Sequence, residues 1–212
     1  MPYKEIDLKA WDRKAQYDFF KNYDNPYFNI TADLEVSELY RYCKKNKYSF
    51  FLCSLYCSLK ACNNIKPFRT RIIDGKICIF DIIHPASTVL LNNNTFIYCF
   101  MEFNNSFDSF HLKAISAIEE AKKKESFHSI ERSDVIYHSV IPWISFTSFS
   151  NARKKGQGDD IPRIVFGKYY TKDNKLNLPV SVEVNHALMD GYHVGQYFTQ
   201  LQKEFDEIQN GK

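Results

Sequence analysis

Apolar positions along this chain change period several times, and each change marks an element. Residues 12–22 read as a short helix with Arg13 in its first turn. Residues 27–35 alternate through Phe28 and Ile30 before Leu34, which predicts a strand. Ser37 is then the expected N-cap of a helix running to about Lys45. The stretch from Phe50 to Cys62 is nearly all apolar, with Leu52, Leu55, Tyr56 and Leu59 at helical spacing. A helix apolar on most sides belongs at the centre of a fold. Asp74-Gly75 stands between Arg71-Ile72-Ile73 and Ile77-Cys78-Ile79-Phe80, a hairpin signature. Ser87–Leu91 and Thr95–Met101 read as strands joined at Asn92-Asn93-Asn94, and Phe107–Lys124 as a helix.

The last third predicts strands at Val135–Val140, Ile144–Phe149, Arg163–Thr171 and Leu176–His186. A polar loop, Asn151–Ile161, separates the second and third, and Lys172-Asp173-Asn174 turns the chain between the third and fourth. In the fourth, Val180, Val182, Val184 and His186 share one face, with Ser181, Glu183 and Asn185 on the other. A final helix places Val194, Phe198, Leu201, Phe205 and Ile208 on one side. Strands and helices are mixed rather than strictly alternating, so the expectation is one α+β domain over residues 1–212.

Composition narrows the function classes. Eighteen Phe and 14 Tyr in 212 residues supply core and interface material. A formal charge of +3 without a clustered basic stripe argues against nucleic acid. Lys122-Lys123-Lys124 lies beside Glu119, Glu120 and Glu125 and reads as a solvated face. The chain begins without the apolar segment of a signal peptide, and no run approaches the ~18 apolar residues of a membrane span. A soluble, cytoplasmic protein is expected. The six cysteines form no C-x-x-C pair, so they read as buried free thiols rather than as metal or redox sites. There is no glycine-rich phosphate loop and no metal-ligand spacing.

Two runs carry candidate chemistry. Val184-Asn185-His186-Ala187-Leu188-Met189-Asp190-Gly191 takes the chain from strand to helix and leaves His186 at a strand end. A histidine there is a candidate general base, because its charge changes near neutral pH; the plainer alternative is a strand-end hydrogen bond. Asp190 reads either as an N-cap or as a carboxylate with a distant cation. Gly195, in the first turn of the next helix, suggests close backbone packing. The second run is Pro142-Trp143-Ile144-Ser145-Phe146-Thr147-Ser148-Phe149, whose alternation puts Ser148 on the face of Ile144 and Phe146. A hydroxyl there needs a partner or a task. His84, His111, His128, His138 and His193 are weaker candidates.

Together these runs resemble chloramphenicol acetyltransferases over nearly the whole chain. The resemblance also includes Trp11-Asp12-Arg13-Lys14, Phe68-Arg69, Asp74-Gly75, His84-Pro85, Gly167-Lys168-Tyr169-Tyr170 and Leu178-Pro179-Val180-Ser181-Val182. H-x-x-x-D-G alone is shared with dihydrolipoyl acyltransferase cores and peptide-synthetase condensation domains; the full ordered set is more specific. The resemblance implies a two-layer sandwich, a mixed β-sheet flanked by helices, assembled as a homotrimer with active sites at subunit interfaces. It implies acetyl transfer from acetyl-CoA, the co-substrate, directly to a small-molecule hydroxyl, with no metal and no acyl-enzyme. His186 then matches the general base, with its second ring nitrogen held by a backbone carbonyl. Ser148 matches the oxyanion donor. Asp190 matches a carboxylate paired with Arg13 to brace the histidine loop. Phe20, Phe28 and Val165 match the acceptor pocket, and Lys168 and Tyr169 match positions near CoA.

The chain also departs from that family. Asn185-His186 replaces a His-His doublet. Phe20 replaces a tyrosine that contacts the antibiotic, Asp24 and Pro26 replace an apolar residue and a small residue of the pocket, and Val165 replaces a threonine. The loop Arg153–Asp160 diverges from a segment lining the acceptor site. Three expectations follow: chloramphenicol as acceptor, another xenobiotic or metabolite alcohol as acceptor, or a non-catalytic homologue that binds CoA or drug. A lipoyl-type thiol acceptor is weaker, for want of a lipoyl or linker segment.

Overall fold

The computed structural model describes residues 2–124, 127–153 and 159–208. Five residues of the divergent loop, 154–158, and Glu125 of the charged cluster lie outside the described residues. The chain runs β1 (Tyr3–Glu5), α1 (Lys14–Phe20), β2 (Tyr27–Glu35), α2 (Ser37–Asn46) and α3 (Phe50–Asn64). After a 3-10 turn at Lys66–Arg69 come β3 (Thr70–Ile73), β4 (Lys76–Phe80), β5 (His84–Leu90), β6 (Phe96–Phe100) and α4 (Phe107–Lys122). It ends with β7 (Val135–Val140), β8 (Arg163–Phe166), β9 (Tyr170–Lys172), β10 (Lys175–Asn185) and α5 (Gly191–Asp206).

Two sheets form. The main one has the order β2-β10-β8-β7-β5-β6, with β9 also paired to β10. Its β5–β7 and β7–β8 pairs are parallel and its other pairs antiparallel, so it is a mixed sheet. The small sheet is β1-β4-β3. The β3–β4 hairpin turns on Asp74 (φ 49°) and Gly75 (φ 76°), the two left-handed positions a two-residue turn requires.

Register places the core. Val182 pairs with Ile164, and Ile164 with His138, so these side chains share a face. That face carries Val180, Val182, Val184, Ile164 and Phe166 into one cluster with α3 and α5. Helix α3 buries ten residues between Leu52 and Cys62, and Ser49 caps it by accepting from the Leu52 N–H at 3.4 Å. Each leucine so buried stabilises by about 1.5–3 kcal/mol before entropy is counted. The opposite face is small and polar. There Asn29 bonds Ser181 at 2.8 Å and Thr88 meets Ser139 at 3.2 Å. Helices on one face and a polar second face give the expected two-layer α+β arrangement.

Four local expectations need correction. Ser37 is the first helical residue of α2, not its cap, and its Oγ accepts from Leu176 N–H at 3.0 Å, tying α2 to β10. Ile144–Phe149 is not a strand. Both edges of β8 are taken by β7 and β10, and Pro142 has no N–H, so the segment finds no ladder to join. Arg163–Thr171 is two strands, β8 and β9, broken at Gly167. A Cβ on Gly167 would lie 3.0 Å from the Phe146 ring, so that ring packs directly on bare backbone. Finally, Gly195 has nothing within 4 Å of where a Cβ would stand, so close packing does not explain it.

Candidate active site

β10 ends at Asn185, and the next five residues, up to the start of α5 at Gly191, form a tight, multiply tied loop. Asn185 Oδ1 accepts from Ala187 N–H at 2.9 Å, and the Leu188 and Met189 N–H groups both bond Asn185 O, at 3.0 and 3.2 Å. His186 N–H donates to Pro26 O at 2.7 Å, fixing the loop to the start of β2. Ala187, Leu188 and Met189 are buried, while His186 is half-buried. The loop therefore turns its apolar residues inward and leaves the imidazole at the surface.

Two aromatic rings set the plane of that imidazole. Phe20 stacks on it at 4.1 Å between centroids and 7° between planes, and Phe28 lies at 4.6 Å and 47°. Phe28 reaches it because β2 and β10 pair Phe28 with Val184. Phe20 comes from the end of α1. The expected backbone carbonyl at Nδ1 is absent; that nitrogen is buried without a hydrogen bond among the described residues. Stacking orients the ring instead.

Arg13 braces the loop from below. Its NH1 lies 2.5 Å from Asp190 Oδ2, and its NH2 donates to His186 O at 2.7 Å. Asp190 fills both of its sequence roles: it pairs with Arg13, and Oδ1 accepts from Tyr192 N–H at 3.2 Å to cap α5. Burial opposes ionisation of this carboxyl, yet the Arg13 hydrogen bond and the charges of His193 and Arg13 outweigh it and lower the pKa. His193 is pushed below its ordinary value, chiefly by burial. An open cavity of about 1100 Å³ lies beside this brace, lined by Arg13, Lys66, Gly191, His193 and Gly195 among others, but not by His186.

Ser148 lies in a different setting. It is exposed and makes no hydrogen bond to any described residue, and none joins it to His186. Trp143 and Ile144, just before it, are 62% and 58% exposed. The segment is held at its ends: Ser145 Oγ donates to Lys168 O at 3.0 Å, and Lys168 N–H to Ile144 O at 2.9 Å. Lys168 and Tyr169 line a smaller cavity of about 170 Å³, with Phe50, Phe51, Pro142 and Leu178. Val165 is buried on β8 opposite Ser181 and Ser139.

His138 and His84 have internal partners of their own. His138 is buried, with Nε2 at 2.9 Å from Ser58 Oγ and its pKa pushed down to about 3 by burial, so it stays neutral inside the core. His84 Nδ1 accepts from Phe103 N–H at 3.0 Å. Among the described residues no cluster of three or more His, Cys, Asp or Glu is placed to hold a metal, and no helix is long and apolar enough to cross a membrane.

A charged group escaped the sequence reading. Glu183, three residues before His186, is 6% exposed and binds Arg153, whose guanidinium lies 3.9 Å from the Tyr27 ring centre. The signal was the run Ser181, Glu183, Asn185, three polar side chains on one face of a strand too buried to leave them in water.

A mixed sheet with helices on one face, and a braced histidine closing its longest strand, defines an acyltransferase of the CoA-dependent fold. The chain belongs to the chloramphenicol acetyltransferase family, whose model matches residues 1–202. It is 29% identical to the chloramphenicol acetyltransferase of Escherichia coli over 99% of this chain and 96% of that one. A solved chloramphenicol acetyltransferase superposes with a TM-score of 0.90 at 27% identity, covering 95% of this chain and 99% of that one. The fold alone is shared with the dihydrolipoamide acetyltransferase of Azotobacter vinelandii, at TM-score 0.73 and 13% identity over 93% of this chain and 88% of that one.

Proposed function

We propose that this chain is a single acetyltransferase domain that moves acetyl from acetyl-CoA to the hydroxyl of a small-molecule alcohol, chloramphenicol first among them. It works as a cytoplasmic homotrimer, with antibiotic resistance as the cellular consequence. The observation that carries the reading is the His186 loop: a half-buried imidazole clamped between Phe20 and Phe28, on a backbone held by Arg13 and Pro26.

In the mechanism, His186 Nε2 takes the acceptor's hydroxyl proton as that oxygen bonds to the thioester carbonyl carbon. Ser148 Oγ donates to the resulting oxyanion. The tetrahedral centre collapses, the C–S bond breaks, and the imidazolium returns its proton to the CoA thiolate. No acyl-enzyme forms. Lys168 beside an aromatic cavity supports a CoA site, with the ammonium suited to phosphate and the apolar walls to the pantetheine arm. Arg13 and Asp190 hold the loop and touch no reacting atom. Phe20, Phe28 and Val165 belong to the acceptor pocket.

The trimer reading rests on exposure. A serine that stabilises an oxyanion works best away from water, yet Ser148 is solvent-facing in the single chain and flanked by bare Trp143 and Ile144. A neighbouring subunit that covers this segment and contributes its own His186 completes the site. Sedimentation should give three chains; an active monomer refutes the arrangement.

Free thiol released from acetyl-CoA tests the function. Release that depends on chloramphenicol supports it. Release with other alcohols only supports an acceptor of another kind, a reading favoured by Phe20, which offers no hydroxyl to the pocket. Ligand binding without release from any acceptor supports a non-catalytic binder and overturns the proposal.

A further inference from the structure

Chain order alone leaves Ser148 poorly fixed, for its segment has no ladder and the serine makes no hydrogen bond among the described residues. Immediately after it the chain is gripped. Asn151 N–H donates to Glu183 Oε2 at 3.2 Å. Arg163 donates to Ala152 O. Arg153 gives its Nε–H to Glu183 Oε1 at 2.9 Å, brings NH2 within 2.7 Å of the same oxygen, and sets NH1 2.8 Å from Asp159 Oδ2. Asp159 is bound in turn by Arg163 at 2.5 Å and by the Tyr27 hydroxyl, which accepts its N–H at 3.0 Å. Two acids and two bases balance, as a partly buried charge group must. The planar guanidinium is suited to this arrangement, since one side chain both forks onto carboxylates and lies over an aromatic ring.

Two anchors of this group, Tyr27 and Glu183, sit on β2 and β10, the strands that fix the histidine loop. Tyr27 pairs with Asn185, and Glu183 stands three residues before His186 on the same strand. We propose that Arg153 and Glu183 are positioning residues for Ser148: they tie the chain three to five residues after the serine to the polar face of β10 and so fix where its hydroxyl stands. This rests on Ser148 as the oxyanion donor. Arg153 and Glu183 touch no reacting atom and act through that serine.

The test uses the full chain with Glu183→Gln, Arg153→Lys and Arg153→Met, each made in the wild type and in Ser148→Ala. Turnover is read as thiol release with whichever alcohol the chain acetylates. Glu183→Gln should lower kcat about tenfold with the acetyl-CoA KM within about twofold, and should change kcat less than about twofold once Ser148 is already alanine. Equal losses in both backgrounds, or none in the wild type, overturn the positioning role. Ser148→Ala that leaves kcat intact overturns the oxyanion assignment itself, a different result. A readout independent of the acceptor is amide hydrogen exchange. The peptide covering residues 144–152 should exchange about tenfold faster in Glu183→Gln and Arg153→Met, and unchanged exchange in folded variants overturns the proposal. Should Arg153→Met not fold, Glu183→Gln and Arg153→Lys carry both readouts.

Discussion

The two halves of the candidate site are built in opposite ways. The His186 loop is tied by its own chain at every turn: to Pro26 through the backbone, to Arg13 through a carbonyl, to Asn185 through an Asx turn, and to Phe20 and Phe28 through ring faces. The Ser148 segment belongs to no sheet, exposes Trp143 and Ile144, and is fixed by Phe146 on Gly167 and by hydrogen bonds at its margins. The contrast teaches that His186 is preorganised by intrachain contacts, whereas Ser148 is not, so the proposed oxyanion donor is the half of the site that a neighbouring subunit would have to complete. Preorganisation is what lets a group act without reorganising during the reaction.

Removing the base is the harshest way to probe that contrast. His186→Ala should cut thiol release by about 1,000-fold or more, with circular dichroism unchanged because the other ties hold the loop. Next comes Ser148→Ala, with a loss of about 100-fold in kcat. Its melting temperature should match the wild type, since an exposed hydroxyl with no hydrogen bond among the described residues holds little together; a large drop would show that the segment is as tied as the loop.

Arg13→Met then attacks the bracing of the loop. A fully buried pair would cost about 3–5 kcal/mol when broken, but Asp190 is 36% exposed and water screens it, so about 1–2 kcal/mol is expected from urea unfolding. The Asp190 pKa is depressed on folding from an ordinary 3.8. Its pairing therefore stabilises fully above about pH 4 and fades as pH falls through the lower folded value. The gap between wild type and Arg13→Met should shrink over the same acid range. A gap independent of pH would mean that the bond to His186 O, not the charge pair, does the bracing. The smallest effect belongs to Gly195→Ala, expected to stabilise by about 0.5–1 kcal/mol because α5 has room for the methyl. Unchanged kcat in that variant would show that stiffening α5 adds nothing to a loop already held.

Much of this arrangement is legible from residue order because its signals are local. Asp74-Gly75 announces its turn, the Phe50–Cys62 run announces the central helix, and the alternation of Val180, Val182 and Val184 announces the strand that leads to His186. What stayed hidden depends on distant partners. Ile144–Phe149 alternates like a strand, but whether it becomes one is decided by β8, whose edges were already taken. Arg13 and Asp190 lie 177 residues apart and were joined only through family resemblance. Glu183 and Arg153 carried no motif, and their pairing emerged only when β10 buried the acid. Ser37 looked like a cap by its identity and became a tie between elements by its position.

The six free cysteines bear on how the reaction is watched. Cys43, Cys53, Cys57, Cys62, Cys78 and Cys99 are all 3% exposed or less. A colour reagent that traps the CoA thiol therefore meets a folded protein that is silent toward it. If the chain opens, six sulfhydryls appear per molecule, so a rising blank without acceptor reports loss of the fold in the same cuvette that reports turnover.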